Sequence, residues 1–403
     1  MVLVGVVGKP SSGKTTFLNA TCLTDAKTAS YPFTTIKPNR GVTHVRVNCV
    51  CKELGVEDNP QNSVCVDGVR LIPIEVLDVA GLVPDAWQGK GLGNKFLDDL
   101  RTADALIHVV DASGSLNAEG EQIDLGAWDP LVDVEFLERE ITMWLVEIIK
   151  RDWMRISRRA ETERVPLAEL LSEKLSGLKI TQSHLATALV NSGLDPNLPT
   201  KWSQDDLISF VQHIREVAKP IVLAANKIDI PVAQQKFKQM QEKLESENLI
   251  PVSAFGELIL RRLGKEEIIR YIPGDNDFET LKEEKIQDQY KKALQTIKEN
   301  VLKIFGSTGT QATLNKVIFE ILDMIVVYPV ADASKFADHD GNVLPDAFLV
   351  PRGSTARDLA QTVHEDLAKT FIHALDAKTN RRLAEDYKLQ NGDIIKIVAA
   401  GGR

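Results

Sequence analysis

The sequence predicts an α/β fold: a mostly parallel sheet with helices on both faces, an inserted helical domain and a smaller C-terminal module. Three observations predict it. Near-continuous apolar runs recur at 2–7, 71–77, 105–110, 220–225 and 249–252, each ending at glycine or a polar residue, as expected of strands buried on both faces. Between 114 and 219 that rhythm stops, and apolar residues repeat every three or four positions, the spacing of helices that bury one face. Beyond about 325 the period returns to that of short strands around a helix.

The first run leads into Gly8, Lys9, Pro10, Ser11, Ser12, Gly13, Lys14 and Thr15, which read G-x-x-x-x-G-K-T. A helix is expected from about Thr15 and Thr16. A strand handing over to such a turn lets main-chain N–H groups and the positive end of the helix converge on a polyphosphate. The fold class is thus that of a P-loop nucleoside triphosphatase. Lys14 is expected to reach the β and γ oxygens and to act in catalysis, and the Thr15 hydroxyl to hold Mg²⁺.

Downstream, Tyr31-Pro32-Phe33-Thr34-Thr35 offers a threonine that could give its hydroxyl to Mg²⁺ and its N–H to the γ-phosphate. Thr35 is preferred to Thr34, and a plain surface loop is the alternative. Asp78, closing its strand, suits a Mg²⁺-bound water, and Gly81 allows a backbone N–H to approach the γ-phosphate. The glycine-dense stretch Gly89–Gly93 suggests a segment that rearranges when that phosphate leaves.

Asn226-Lys227-Ile228-Asp229 follows the fourth apolar run. A carboxylate at Asp229 can accept from guanine N1–H and the 2-amino group, donors that adenine lacks. Sites built on hydrogen bonds reject an analogue lacking the group strongly. Asn226 would tie this loop to the phosphate loop, the Lys227 stem would pack along the base, and Ser253-Ala254 would bring an N–H to guanine O6. The expected ligands are therefore GTP or GDP with Mg²⁺.

The insertion carries three apolar stripes: Leu137, Ile141, Trp144, Leu145 and Ile148; Leu167, Leu170, Leu171 and Leu175; and Leu207, Phe210, Val211, Ile214 and Val217. Ser203 with Asp206 resembles a capping box. The first long helix is expected to continue through Arg151, Arg155, Arg158 and Arg159, a stripe read as a solvated basic face, with RNA phosphate binding as the alternative. Helices are expected from Glu257 to about Met324. Strands then follow at Ile325–Val330, Ala347–Val350, Ile372–Leu375 and Asp393–Val398, with a helix opened by Thr355 and Asp358. That order fits a β-grasp module. The expected domains are 1–113 with 220–305 (nucleotide-binding), 114–219 (helical insertion) and 306–403 (helical linker and β-grasp, the latter from about 325).

Composition excludes several classes. Over 403 residues, 43% hydrophobic and 26% charged content is ordinary for a globular chain, and a formal charge of −9 argues against indiscriminate nucleic-acid binding. No run approaches the length of a membrane span, and residues 1–7 read as a strand, not a signal peptide. Cys22, Cys49, Cys51 and Cys65 form no disulfide pattern, which fits a reducing cytoplasm. Cys49, Cys51 and Cys65 with His44 could supply four metal ligands, but the spacing matches no common zinc pattern. Free thiols in or near strands are expected, and a monomer is favoured.

Gly8–Thr15, Tyr31–Thr35, D-V-A-G-L at Asp78–Leu82, G-K-G-L-G-N-K-F-L at Gly89–Leu97 and N-K-I-D together resemble the Obg superfamily of GTPases, in the YchF branch and its archaeal form. The C-terminal module is similar to TGS domains. The resemblance spans the chain and implies nucleotide hydrolysis, association with ribosomes or RNA, and a role in translation or stress response. The C-terminal module holds ten basic against eleven acidic residues from Val326 onward, so its RNA role rests on resemblance, helped by Lys378, Arg381 and Arg382. YchF-type proteins that lack N-K-x-D are reported to favour ATP, whereas the full motif here points to GTP. Ser11 stands where Obg-type loops usually carry Asn, which weakens any inference of a potassium ion.

Leu82 follows D-x-x-G where Ras-like enzymes carry a water-orienting glutamine. Leucine cannot bond water, so slow intrinsic hydrolysis is expected, with a partner surface, a backbone carbonyl or an ion placing the nucleophile. The alternatives are an ATPase or phosphotransferase on the same loop, and a scaffold that nucleotide merely stabilises.

Overall fold

A computed structural model describes residues 2–22, 40–79, 99–244 and 247–400. Among them the main sheet comprises β1 (Leu3–Val7), β2 (Arg40–Asn48), β3 (Val64–Val66), β4 (Val69–Asp78), β5 (Ala105–Asp111), β6 (Ile221–Asn226) and β7 (Leu249–Pro251). The strand order is β2-β4-β1-β5-β6-β7, with β3 paired to β4. β4, β1, β5, β6 and β7 run parallel in that order. Every residue of β1, β5 and β6 is buried, which is why these runs show no polar alternation. The register aligns Val6 with Asp78, Val7 with His108, and Asp111 with Asn226. The polar strand ends therefore lie along one carboxyl edge, where ligands of such sheets bind.

The described residues form two compact units: residues 2–22, 40–42, 75–79, 99–244 and 247–313 in the first, and 43–74 with 314–400 in the second. In the first, helices Pro130–Lys150, Trp153–Glu163, Leu167–Leu175, Gln182–Ser192 and Gln204–Ala218 fill the stretch between β5 and β6. The Ser203–Asp206 capping box forms, with side chain and main chain bonded reciprocally. The expected continuous helix through the arginines does not. It ends at Lys150, the chain turns at Asp152, and a new helix starts at Trp153. Asp152 pairs with Lys174 and with Arg155, and the turn lets Trp153 and Ile156 enter the core. Arg151, Arg155, Arg158 and Arg159 stay exposed, with Arg159 paired to Glu163 at 2.7 Å. The run expected as mostly helical after Glu257 is also interrupted, by a ribbon of β8 (Ile269–Arg270) and β9 (Glu279–Thr280).

The second unit carries a five-stranded sheet, β11-β10-β14-β12-β13, from β10 (Met324–Val330), β11 (Phe348–Pro351), β12 (Phe371–Asp376), β13 (Arg381–Leu383) and β14 (Asp393–Ala399). β10 and β14 are parallel and the other pairs antiparallel. Thr355 caps helix Ala356–Val363 through Asp358, whose Leu359 joins Ile325, Val350 and Ile395 in the core.

Phe210 is fully buried and meets Trp202 edge-on at 5.2 Å; Trp202 in turn lies 5.3 Å from Trp153. Phe210→Ala should leave a cavity within this aromatic group and destabilise the first unit by about 3–5 kcal/mol, read as a lower midpoint in urea unfolding followed by tryptophan fluorescence.

Candidate functional site

The phosphate loop depends on backbone conformations that few side chains tolerate. Gly8, Ser11 and Gly13 have φ of 147°, 62° and 102°, the left-handed region that favours glycine. A Cβ at Gly8 would meet the Val109 carbonyl at 2.4 Å, and one at Gly13 would meet Asn226 Nδ2 at 2.1 Å. Helix Lys14–Thr21 starts immediately after Gly13. Its first-turn N–H groups and the turn before it form the cradle that an anion would enter.

Lys14 folds over this turn, its ammonium donating to the Gly8 and Lys9 carbonyls at 2.8 Å each. Burial lowers its pKa to about 8, opposed by the charge of Asp78. Asp78 is half-buried at the end of β4; burial raises its pKa and Lys14 counteracts that. Thr15 is exposed, Thr16 and Pro10 are half-buried, and Ser11 is exposed. Ser12 is fully buried, and its hydroxyl has no hydrogen-bond partner among the described residues. Lys9 behaves differently from Lys14. Its ammonium is buried against Asp133 at 2.7 Å and the Leu116 carbonyl at 3.0 Å, 5.0 Å above the Trp128 ring. Its side chain anchors the loop from behind, and its main chain receives Lys14.

The base loop is built at the ends of β6 and β7. Asn226, 3% exposed, donates from Nδ2 to the Ser12 carbonyl at 3.0 Å and accepts from the Ala254 N–H at 3.1 Å. Lys227 has φ of 68°, and its ammonium pairs with Asp111 at 3.0 Å and donates to Ser115 Oγ at 3.2 Å. The Asp229 carboxylate accepts from the Ser253 hydroxyl at 2.7 Å, and the Asp229 carbonyl accepts from Asn300 at 3.3 Å. Ser253 Oγ accepts from the Gly256 N–H, opening helix Ala254–Lys265. Asn226, Lys227, Asp229, Ser253 and Ala254 thus share one loop cluster with the phosphate loop. Thr35 and Gly81, together with Leu82 and Gly89–Gly93, lie outside the described residues.

Asp111 was legible as a strand end but not as a hub. Its carboxylate accepts from the N–H and hydroxyl of Ser113 and of Ser115, as well as pairing with Lys227. Burial would raise its pKa, and these bonds more than offset burial, so it stays an anion. The D-x-S-x-S spacing was the available signal. His108 left no such signal. It is buried beside the phosphate loop with Nδ1 unpartnered among the described residues, and burial, Lys14 and Lys9 hold it neutral, near 3.

A parallel sheet whose first strand ends in this turn, with a base loop tied to the turn by an asparagine, defines a P-loop GTPase fold. The signature of 50S ribosome-binding GTPases matches residues 3–135, that of the Obg-like GTPase YGR210-like, G4 motif-containing domain matches 224–332, and that of the TGS domain matches 340–399. A GTP-binding protein of Methanocaldococcus jannaschii is 48% identical over 400 residues, 99% of this chain and 100% of the relative. The crystal structure of a GTP-binding protein from Pyrococcus horikoshii superposes with a TM-score of 0.77 at 42% identity, over 99% of this chain and 100% of that one. A ribosome-binding ATPase YchF of Buchnera aphidicola is 25% identical over 97% of each chain. The chain belongs to the YchF-like family of the Obg GTPase superfamily and carries a C-terminal TGS domain.

The position of Lys14 predicts a pH dependence. A polyphosphate over the loop would raise its pKa above about 8. The affinity contributed by the ammonium is then full below pH 8 and is lost as pH rises through that value towards the pKa of the complex. Triphosphate affinity should fall by up to about tenfold per pH unit in that window, with proton uptake on binding, measured by titration calorimetry in two buffers of different ionisation enthalpy. Lys14→Arg, which does not titrate there, should flatten the profile.

Proposed function

We propose that this chain binds and hydrolyses GTP slowly, with Mg²⁺, as a switch acting with the ribosome or RNA in translation or stress response. The observation that carries the reading is the position of Asp229. Its carboxylate sits against Ser253, in a loop that Asn226 fastens to the phosphate-loop carbonyl of Ser12. A purine ring held there would meet a carboxylate that rewards guanine's two donors and is left unpaired by adenine. ATP hydrolysis and a non-catalytic scaffold are the competing outcomes.

The remaining roles follow from placement. Gly8 to Thr16 would cradle the phosphates, with Lys14 raising its ammonium from the loop carbonyls towards the β and γ oxygens. Thr15 is exposed at the start of its helix and Asp78 half-buried at the neighbouring strand end, oxygen donors of the kind Mg²⁺ takes. Bound Mg²⁺ would neutralise charge developing on the phosphates. Thr35 would add a hydroxyl, and the Gly81 N–H would meet the γ-phosphate. Lys227 would keep the base loop in place through Asp111, its stem along the base, and the Ala254 loop would face guanine O6.

With leucine at 82, no side chain here is assigned to orient water, and turnover of the isolated protein should be on the order of 10⁻⁴ to 10⁻² per second, the range of unassisted GTPases. Residues 1–113 with 220–305 would act as the GTPase domain, 114–219 as an accessory helical domain, and 306–403 as the linker and TGS module that carries the protein to its partner. The named function of the Buchnera relative supports ribosome binding. A cytoplasmic setting belongs to the same reading, through the ribosome binding named for that relative. Separately, among the described residues no helix is long and apolar enough to cross a membrane.

Titrating the protein and its Asp229→Ala variant with GTP and ATP tests the base assignment. The parent should prefer GTP by at least about a hundredfold, and the variant should lose most of that preference while still binding triphosphate. An unchanged ratio would contradict the assignment, and turnover in the tens per second would contradict slow hydrolysis.

A further inference from the structure

Three of the four cysteines meet in the second unit. Cys49 follows β2 and precedes helix Val50–Leu54, Cys51 lies in that helix, and Cys65 sits on β3. The loop after the helix returns Asp58 to the same point. Cys49 Sγ lies 3.2 Å from Asp58 Oδ2, and Cys51 Sγ lies 3.9 Å from Cys65 Sγ. One ligand atom from each of the four residues falls within 4.8 Å of all the others. His44, which spacing offered as the fourth ligand, is not in the group.

These separations discriminate between three states of the thiols. A disulfide requires sulfurs at about 2.05 Å, roughly half the Cys51–Cys65 distance. Thiols that merely pack as small apolar groups do not require three sulfurs to converge on one carboxylate oxygen, whereas here all four ligand atoms converge, with Asp58 also paired to Arg70. Around a tetrahedral zinc with Zn–S near 2.3 Å and Zn–O near 2.0 Å, geometry sets S···S edges at roughly 3.8 Å and S···O edges at roughly 3.5 Å, close to the separations seen. We propose that Cys49, Cys51, Cys65 and Asp58 hold a structural zinc ion in a closed, four-ligand site.

The surroundings fit that assignment. Arg70, fully buried on β4, donates to Asp58 Oδ2 at 2.9 Å and to the Leu344 carbonyl at 2.7 Å, and lies 5.8 Å from the Tyr328 ring centre. Three thiolates and a carboxylate around a divalent ion leave excess negative charge, and the permanent guanidinium beside them offsets part of it. Cys49 also lines a cavity of about 520 Å³ with Asn48, Lys52 and Tyr328. Soft thiolates select zinc over magnesium or calcium. The ion would fasten the helix, the returning loop and the β3–β4 hairpin at one point, in a stretch that offers few large apolar side chains. Its role would be stability of this unit, separate from Mg²⁺ at the phosphate loop.

The test uses the full chain expressed with zinc in the medium. Elemental analysis after dialysis should give about one zinc per chain, and exchange into cobalt(II) should give the thiolate charge-transfer and intense ligand-field bands of a tetrahedral site. Cys65→Ser should lose the metal, Cys22→Ser should keep it, and Asp58→Ala should shift the cobalt bands and weaken zinc at least about tenfold. Should Cys65→Ser fail to fold, the cobalt spectrum of the unaltered chain still decides. The proposal is overturned by a metal-free chain whose thiols all react freely or are joined as a Cys51–Cys65 disulfide by mass. It is equally overturned by cobalt bound without thiolate bands, or by Asp58→Ala leaving those bands unmoved.

Discussion

The amide of Asn226 donates to the Ser12 carbonyl and accepts from the Ala254 N–H, at 3.0 and 3.1 Å, in a position almost closed to water. Both bonds are buried, where an unpaired amide or carbonyl would cost about 1–3 kcal/mol. The phosphate loop and the base loop are thereby held as one body. Gly13 belongs to the same constraint, because a methyl group there would collide with the Asn226 nitrogen. Register does the rest: Asn226 ends β6 opposite Asp111 on β5, and Val7 ends β1 opposite His108 on β5. Three strands thus deliver the site's parts to one edge before any side chain makes a specific contact.

Charge is distributed around that frame with little redundancy. Lys9 is neutralised by Asp133 and Lys227 by Asp111, so both stiffen loops. Lys14 rests on main-chain carbonyls, partners that an anionic ligand can outcompete at small cost. Burial already weakens its hold on the proton, and restoring that hold is part of what a phosphate would gain. Neutral His108 behind the loop adds no competing positive charge.

Much of this was readable beforehand because parallel strands buried on both faces leave continuous apolar runs, and because the phosphate turn cannot be made without its glycines. Four of the five strands of the C-terminal sheet were legible for the related reason that a change of period marks them; β13, two exposed arginines and one buried leucine, carries no such mark. What escaped depended on partners distant in sequence. β2 buries Thr43 and His44, so it lacks an apolar signature. Lys9 and Lys14 look alike until Asp133, far along the chain, claims one of them. The helix break at Asp152 follows from Lys174 and from the burial of Trp153, neither visible in a stripe of arginines. Asp58 meets the cysteines from a returning loop, paired there with Arg70 on β4 and bonded by the Cys49 thiol. A spacing rule tuned to short zinc motifs cannot see a ligand set assembled by a hairpin and a returning loop.

If Asn226 couples the two halves of the site, its loss must damage both. Calorimetric titration of Asn226→Ala with GTP, ATP and inorganic triphosphate is the most direct measurement. The account predicts weaker binding of triphosphate and a smaller GTP-over-ATP ratio together, in a protein whose unfolding midpoint shows it still folds. Triphosphate binding at the parent's strength with an undiminished ratio would contradict it.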